Sequence, residues 1–255
     1  MKTVTLLLAV CLTTVASLPQ QQERIVGGSV TSIDRYPFAA SLQVTGNNVN
    51  FGHTCGGTII NNRSILSAVH CWVNNNVANR YRIRVGSTNR SSGGRVHNVA
   101  QLFGHTQYNP RNHDNDIGVV RVSTAIPLGS ATIRAASLAG ANLNIPDNSN
   151  VIAIGWGRTS HNGAGSEQLR HVTLRSVNQA RCNTDFRGII TANMLCLGWS
   201  NASRGTCFGD SGTGAVFNNI VVGVCSFLHW DGCDSHWPVV FARVSRYAAW
   251  IRNHS

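Results

Sequence analysis

Beyond Lys2 the chain contains no lysine, and acidic residues are scarce: 10 Asp and Glu stand against 21 Lys and Arg, a formal net charge of +11. Such a balance invites a nucleic-acid reading. The arginines, however, are scattered from Arg24 to Arg252 with no basic run and no interleaved aromatics, so that class is set aside. Arginine keeps its charge far above the pH at which lysine loses its own, so an Arg-only surface stays charged in a strongly alkaline fluid. Drift in base composition is the alternative reading of the same absence. Long apolar runs are missing after the N-terminus, which argues against a membrane span. No two cysteines lie two to four residues apart, so metal-ligand spacing is absent and disulfides are the better reading.

What is present favours a sizeable core. The chain has 255 residues, 42% of them hydrophobic, and is rich in Gly, Asn, Ser and Thr, while only 12% are charged. Short strands joined by many turns follow from that composition, so the fold class is expected to be all-β. Residues 1–17, MKTVTLLLAVCLTTVAS, carry Lys2, an apolar stretch and small residues at Ala16 and Ser17, the layout of a secretory signal peptide. A membrane anchor over residues 3–13 is the competing reading, but the run is short. Apolar segments at 38–44, 58–60, 81–85, 117–122, 151–154 and 220–227 are separated by Gly, Asn and Pro. At the end Val244, Tyr247, Ala248 and Ile251 fall at helical spacing, predicting a helix over 243–253.

If Cys11 leaves with the signal, seven cysteines remain, an odd number, so one thiol is free or joined to another molecule. Among polar residues, Ser211 sits in "GDSG", His70 in "SAVHCW" and Asp116 in "HDNDIGVV". A Gly-flanked Ser suits a sharp turn that presents a hydroxyl and leaves backbone N–H groups free. Each residue also has a bland reading as a turn, a packing residue or a cap.

Together, the order His70, Asp116, Ser211, preceded by Arg24-Ile25-Val26-Gly27-Gly28, resembles the chymotrypsin-like serine proteases from Ile25 to the C-terminal helix. "GWG" at 155–157, "NMLC" at 193–196 and "FARVSRYAAWI" at 241–251 also match. The resemblance implies two packed six-stranded antiparallel β-barrels with a short C-terminal helix, the first over about 25–135 and the second over about 136–242. It implies Ser211 as nucleophile, His70 as general base and acid, Asp116 as its orienter, and the N–H groups of Gly209 and Ser211 as oxyanion hole. It also implies the pairings Cys55 to Cys71, Cys182 to Cys196 and Cys207 to Cys233, with Cys225 left as a buried thiol. Residues 18–24 become an activation propeptide, and cleavage after Arg24 would free an Ile25 amino group to pair with Asp210. Protein or peptide substrates, an activating trypsin-like protease and protease inhibitors are the expected partners. The expected protein is secreted and monomeric, with no cofactor and no metal.

Specificity departs from the family's best-known version. Trypsin-like members carry an Asp six residues before the nucleophile, where this chain has Gly205. A buried Arg or Lys substrate side chain would lack a counter-charge, which costs several kcal/mol. The pocket expected from the match comprises Gly205, Thr206, Ser226, Leu228 and Val239, the last two standing where glycines are usual. An apolar preference of the elastase or chymotrypsin kind follows. "SFLHWDGC" and "FARV" also resemble the insect chymotrypsins and crab collagenolytic enzymes, and a digestive role in an alkaline gut is implied with them. Thr213 and Gly214 replace the usual Gly and Pro, an exchange expected to disturb the packing behind the nucleophile loop. A weak or inactive homologue acting as a binding protein is therefore the rival class. Sequons at Asn62, Asn89, Asn201 and Asn253 permit glycosylation. No acidic ligand occurs over 81–104, where calcium-binding relatives carry theirs.

Overall fold

The computed structural model describes residues 26–198, 204–233 and 235–255. Fourteen strands occur among them: β1 (Ser29–Val30), β2 (Ala39–Thr45), β3 (Phe51–Ile59), β4 (Ser64–Ser67), β5 (Tyr81–Val85), β6 (Arg95–Gly104), β7 (Gly118–Val122), β8 (Ser137–Leu138), β9 (Asn150–Gly155), β10 (Arg170–Ser176), β11 (Met194–Gly198), β12 (Gly214–Phe217), β13 (Ile220–Phe227) and β14 (Val239–Arg243). Helix α1 spans Gln179–Asp185 and α2 spans Ala248–His254. Closure of β2-β3-β4-β7-β6-β5 makes the first six-stranded barrel. The second follows β9-β10-β11-β14-β13-β12 and closes by the β9–β12 pairing. All pairings within both barrels are antiparallel, which makes the fold the one expected from the sequence.

Alternation produces the barrel walls. In β5 Tyr81, Ile83 and Val85 turn inward while Arg82 and Arg84 stay partly exposed, the period of two that buries one face of a strand. Leu42, Ile59, Ile65, Ile83 and Val120 fill the first barrel. The second core contains Leu174, Leu195, Val224 and Phe241, and it is continuous with Leu66, Ile117 and Val119 of the first barrel. That shared apolar seam holds the two barrels in register. Burial of these side chains contributes roughly 1.5–3 kcal/mol each before chain entropy is set against it.

Three features adjust the boundaries drawn from sequence. Ser29 and Val30, expected in the first barrel, pair with His171 and Arg170 of the second, so the N-terminal segment crosses the junction. The C-terminal helix begins only at Ala248, because Val244–Tyr247 forms a tighter 3₁₀ turn that buries Val244 and Tyr247. Helix α1 was not legible as a helix; seven residues carry little periodicity, and its start depends on the Asn178 side chain accepting the N–H groups of Ala180 and Arg181. The three disulfides are those implied by the resemblance, and Cys225 is a buried free thiol. Among the described residues no helix is long and apolar enough to cross a membrane.

Candidate active site

His70 lies in a 3₁₀ turn, Val69–Cys71, that follows β4, and the Cys55–Cys71 bridge ties this turn to β3. Asp116 enters from the other side, two residues before β7, after a turn in which His113 and Asn115 adopt φ of +57° and +59°. Its carboxylate accepts the His70 backbone N–H at 2.9 Å, the His70 Nδ1–H at 2.6 Å and the Ser226 hydroxyl at 2.6 Å. Burial alone would raise this carboxyl, but the bonds and charge of His70 together with the Ser226 bond hold it below the usual carboxylate range. An ionised carboxylate can only accept, so the imidazole proton sits on Nδ1 and the Nε2 lone pair remains available.

Ser211 sits on the loop 205–213, which Cys207–Cys233 fastens to the segment before β14. Gly212 has φ +80°, and a Cβ there would lie 2.2 Å from Ser67 Oγ, so only glycine permits the turn. The first barrel grips the loop directly: the Gly56 N–H donates to Ser211 O at 2.7 Å, and His53 Nε2 donates to Gly209 O at 2.9 Å. Burial lowers the His53 pKa to about 4, keeping the ring neutral, and its Nδ1 accepts the Ser41 hydroxyl at 2.8 Å. Among the described residues neither the Gly209 N–H nor the Ser211 N–H donates to another group. Both are free for a ligand.

Ser211 and His70 line one cleft of about 390 Å³, with Phe227, Leu228 and Trp230 on its wall. No Ser211–His70 hydrogen bond forms in this resting arrangement among the described residues, as is common before substrate closes the contact. His113 stacks on Phe227 with centroids 5.2 Å apart and meets the His70 ring edgewise at 5.8 Å. A second hollow, of about 290 Å³ beside α1, contains none of the residues singled out from sequence.

The expected pocket residues divide. Ser226 and Leu228 reach the cleft, though the Ser226 hydroxyl serves Asp116. Gly205, Thr206 and Val239 do not line it: all three are buried behind it, and the Cys225 thiol meets Thr206 Oγ1 at 3.1 Å. Val239 Cγ2 would come within 2.9 Å of a Cβ at Gly205, so these two expected pocket residues pack against each other. No carboxylate lines the cleft among the described residues. Asp210 is fully buried and accepts the N–H groups of Gly157 at 2.7 Å and Cys207 at 2.9 Å, and burial raises its carboxyl to about 7. Arg24 and Ile25 lie outside the described residues.

The disturbance expected from Thr213 does not occur. Its methyl occupies the space left by Gly56, where a Cβ would lie 2.0 Å from Thr213 Cγ2, and its hydroxyl donates to Asp210 O at 2.7 Å. His53 and His113 carry no local signal in the sequence, because each acts through a partner distant in the chain. As for metals, His70, His113 and Asp116 offer ligand atoms within 4.8 Å of one another, but two of the three are already bonded together. The Cys55–His70–Cys71 cluster has its sulfurs joined in a disulfide.

A family model described as Trypsin matches residues 25–251. The chain is 50% identical over 251 residues to Trypsin CFT-1 of Choristoneura fumiferana, covering 96% of each. It is 45% identical over 254 residues to "Trypsin, alkaline C" of Manduca sexta, covering 98% of each. Similarity to Achelase-1 of Lonomia achelous is 41% over 239 residues, covering 91% of this chain and all of that one.

Proposed function

The chain belongs to the trypsin family of serine endopeptidases, and from that premise we propose that it cleaves proteins after small to medium apolar residues. Ser211 Oγ attacks the scissile carbonyl carbon while its proton passes to His70 Nε2. The oxyanion so formed accepts the N–H groups of Gly209 and Ser211. His70 then gives the proton to the leaving amine, the C–N bond breaks, and water repeats the sequence to free the acid from Ser211. Asp116 fixes the Nδ1–H tautomer and stabilises the imidazolium. The observation that carries this reading is His70, held by Asp116 at 2.6 Å and lining one cleft with Ser211, together with the two unengaged N–H groups of Gly209 and Ser211.

The apolar preference is supported by the pocket floor. Gly205 brings no charge, Val239 packs against it, and no acidic side chain among the described residues lines the cleft. A guanidinium buried there would forgo hydration without an ion partner. Cleavage after basic residues is the second reading, and the names of the relatives favour it. Residues 1–17 serve as a secretory signal and 18–24 as propeptide, with cleavage after Arg24 giving Ile25 the amino group that neutralises Asp210. A buried carboxyl raised to about 7 is the expected state of such a partner before its cation arrives. Secretion into an alkaline digestive fluid is supported by the missing lysines and by a relative named alkaline.

Expression of the full chain, cleavage after Arg24 with trypsin, removal of the trypsin and profiling of a peptide library at pH 8 and pH 10 test these points together. Turnover that disappears in Ser211→Ala, with Ala, Val or Leu before the cut bond, is the expected result. A preference for Arg or Lys would overturn the specificity assignment, and no turnover from a chain with a confirmed Ile25 terminus would overturn the enzyme.

A further inference from the structure

We infer that Thr213 is a positioning residue for the oxyanion hole, locking the peptide unit that supplies the Ser211 N–H. The inference deepens the mechanism above and rests on it. A trans peptide is planar, so the C=O of Asp210 and the N–H of Ser211 belong to one rigid plate and point in opposite directions. No cis peptide bond occurs in the described chain. Whatever holds the Asp210 carbonyl from behind therefore aims the Ser211 N–H forward.

Thr213 holds it twice. Its backbone N–H donates to Asp210 O at 3.0 Å, and its hydroxyl donates to the same oxygen at 2.7 Å. Thr213 itself cannot drift, because it is 2% exposed and its carbonyl accepts the Cys225 N–H of β13 at 2.9 Å. The methyl fits only because Gly56 has no side chain. A hydrogen bond accepted at the carbonyl also polarises the amide and strengthens its N–H as a donor. The other oxyanion-hole donor is held in a similar way: the Phe208–Gly209 plate carries the Gly209 N–H, and Phe208 O accepts the Arg158 N–H at 2.8 Å. There a backbone group does what the hydroxyl does at Thr213. With glycine at position 213 only the backbone N–H would remain on Asp210 O. The threonine adds a second restraint specific to this side chain.

Thr213→Val keeps the methyl contact with Gly56 and removes the hydroxyl; Thr213→Ser does the reverse. Each precursor is cleaved after Arg24, its active sites are counted by titration with diisopropyl fluorophosphate, and kcat and KM are measured on the peptide that the wild-type enzyme turns over fastest in the library, whatever its P1 residue. Inhibition by the corresponding peptide aldehyde, whose hemiacetal oxygen occupies the oxyanion hole, is measured in parallel. Outright removal of an oxyanion donor typically costs 10²- to 10³-fold, and loosening one should cost less, so the valine variant is expected to lose roughly tenfold in kcat with KM unchanged. Aldehyde affinity should fall by about the same factor, and the serine variant should keep kcat within about twofold. Thr213→Ala set against Thr213→Ser isolates the hydroxyl in the same way should the valine variant fail to fold. Wild-type kcat in the variants lacking the hydroxyl, or an equal loss in the serine variant, would overturn the inference alone. Absence of wild-type turnover above the Ser211→Ala control would overturn the mechanism and this inference with it.

Discussion

Gly205→Asp alone should not convert this enzyme to cleavage after arginine. A Cβ at position 205 would sit 2.9 Å from Val239 Cγ2, closer than real contacts allow, so an aspartate there needs Val239 to move. Val239 is 4% exposed at the start of β14, where it pairs with Leu197, so it has little room to yield. Val239→Gly removes that obstacle and opens the floor to larger apolar residues. Only the double variant offers both space and charge. A carboxylate and a guanidinium about 4 Å apart at an effective dielectric near 20 gain about 4 kcal/mol, or roughly 10³ in kcat/KM. The two changes share one space, so their effects are expected to be strongly non-additive. Peptides differing only at P1, with Ala, Leu, Phe and Arg, give the four kcat/KM values for each activated variant. Gly205→Asp should raise the Arg value by less than about tenfold, Val239→Gly should favour Phe, and the double variant should gain about 10³ on Arg. Wild-type enzyme that prefers Arg, or a single Gly205→Asp variant that matches the double, would refute the reasoning.

Asp210→Asn should act oppositely before and after activation. Folding raises the Asp210 carboxyl from the usual range to about 7, so its charged form is disfavoured, and the uncleaved wild-type chain loses stability as pH rises from about 4 through 7. Urea unfolding of the uncleaved chains should show the Asn variant gaining on wild type across that window by up to the order of 4 kcal/mol, with no further gain above it. After cleavage the same variant should be nearly inactive, because the Ile25 amino group has no carboxylate to meet. Phe186→Ala should destabilise by about 3–5 kcal/mol in urea and raise KM, since Phe186 is 1% exposed and supports Phe227, His229 and Trp230 of the cleft wall. Cys225, whose thiol burial pushes far above the ordinary range, should stay unmodified by iodoacetamide at pH 8 and leave activity intact, as activity assays with mass spectrometry would show. Labelling of the native protein at that position would contradict its packing.

Much of the site was legible because the chain writes it in local motifs. Gly-Asp-Ser-Gly encodes a turn that only glycines can make, Ala-Val-His-Cys places a histidine beside a bridging sulfur, and Asn-Asp-Ile-Gly puts an acid at the mouth of an apolar strand. Alternation likewise exposed β2, β5, β9 and β13, whose buried faces follow a period of two or an unbroken apolar run. Strand β6 stayed hidden: its outer face is largely exposed, and a register shift between Val99 and Gln101 interrupts the pattern.

Residue type and spacing were enough to single out Ser211, His70 and Asp116 as candidates, to give the disulfide-rich all-β class and to show that Gly205 carries no charge. How those groups are held depends on contacts between distant parts of the chain. His53 reaches from β3 to Gly209 across 156 positions, Ser226 to Asp116 across 110, and Val239 of β14 packs against Gly205. Thr213 is accommodated only because Gly56 of the opposite barrel leaves space for its methyl. Such pairs form only when two barrels, each closed by its own pattern, pack against each other, and no single stretch of chain carries the information of both.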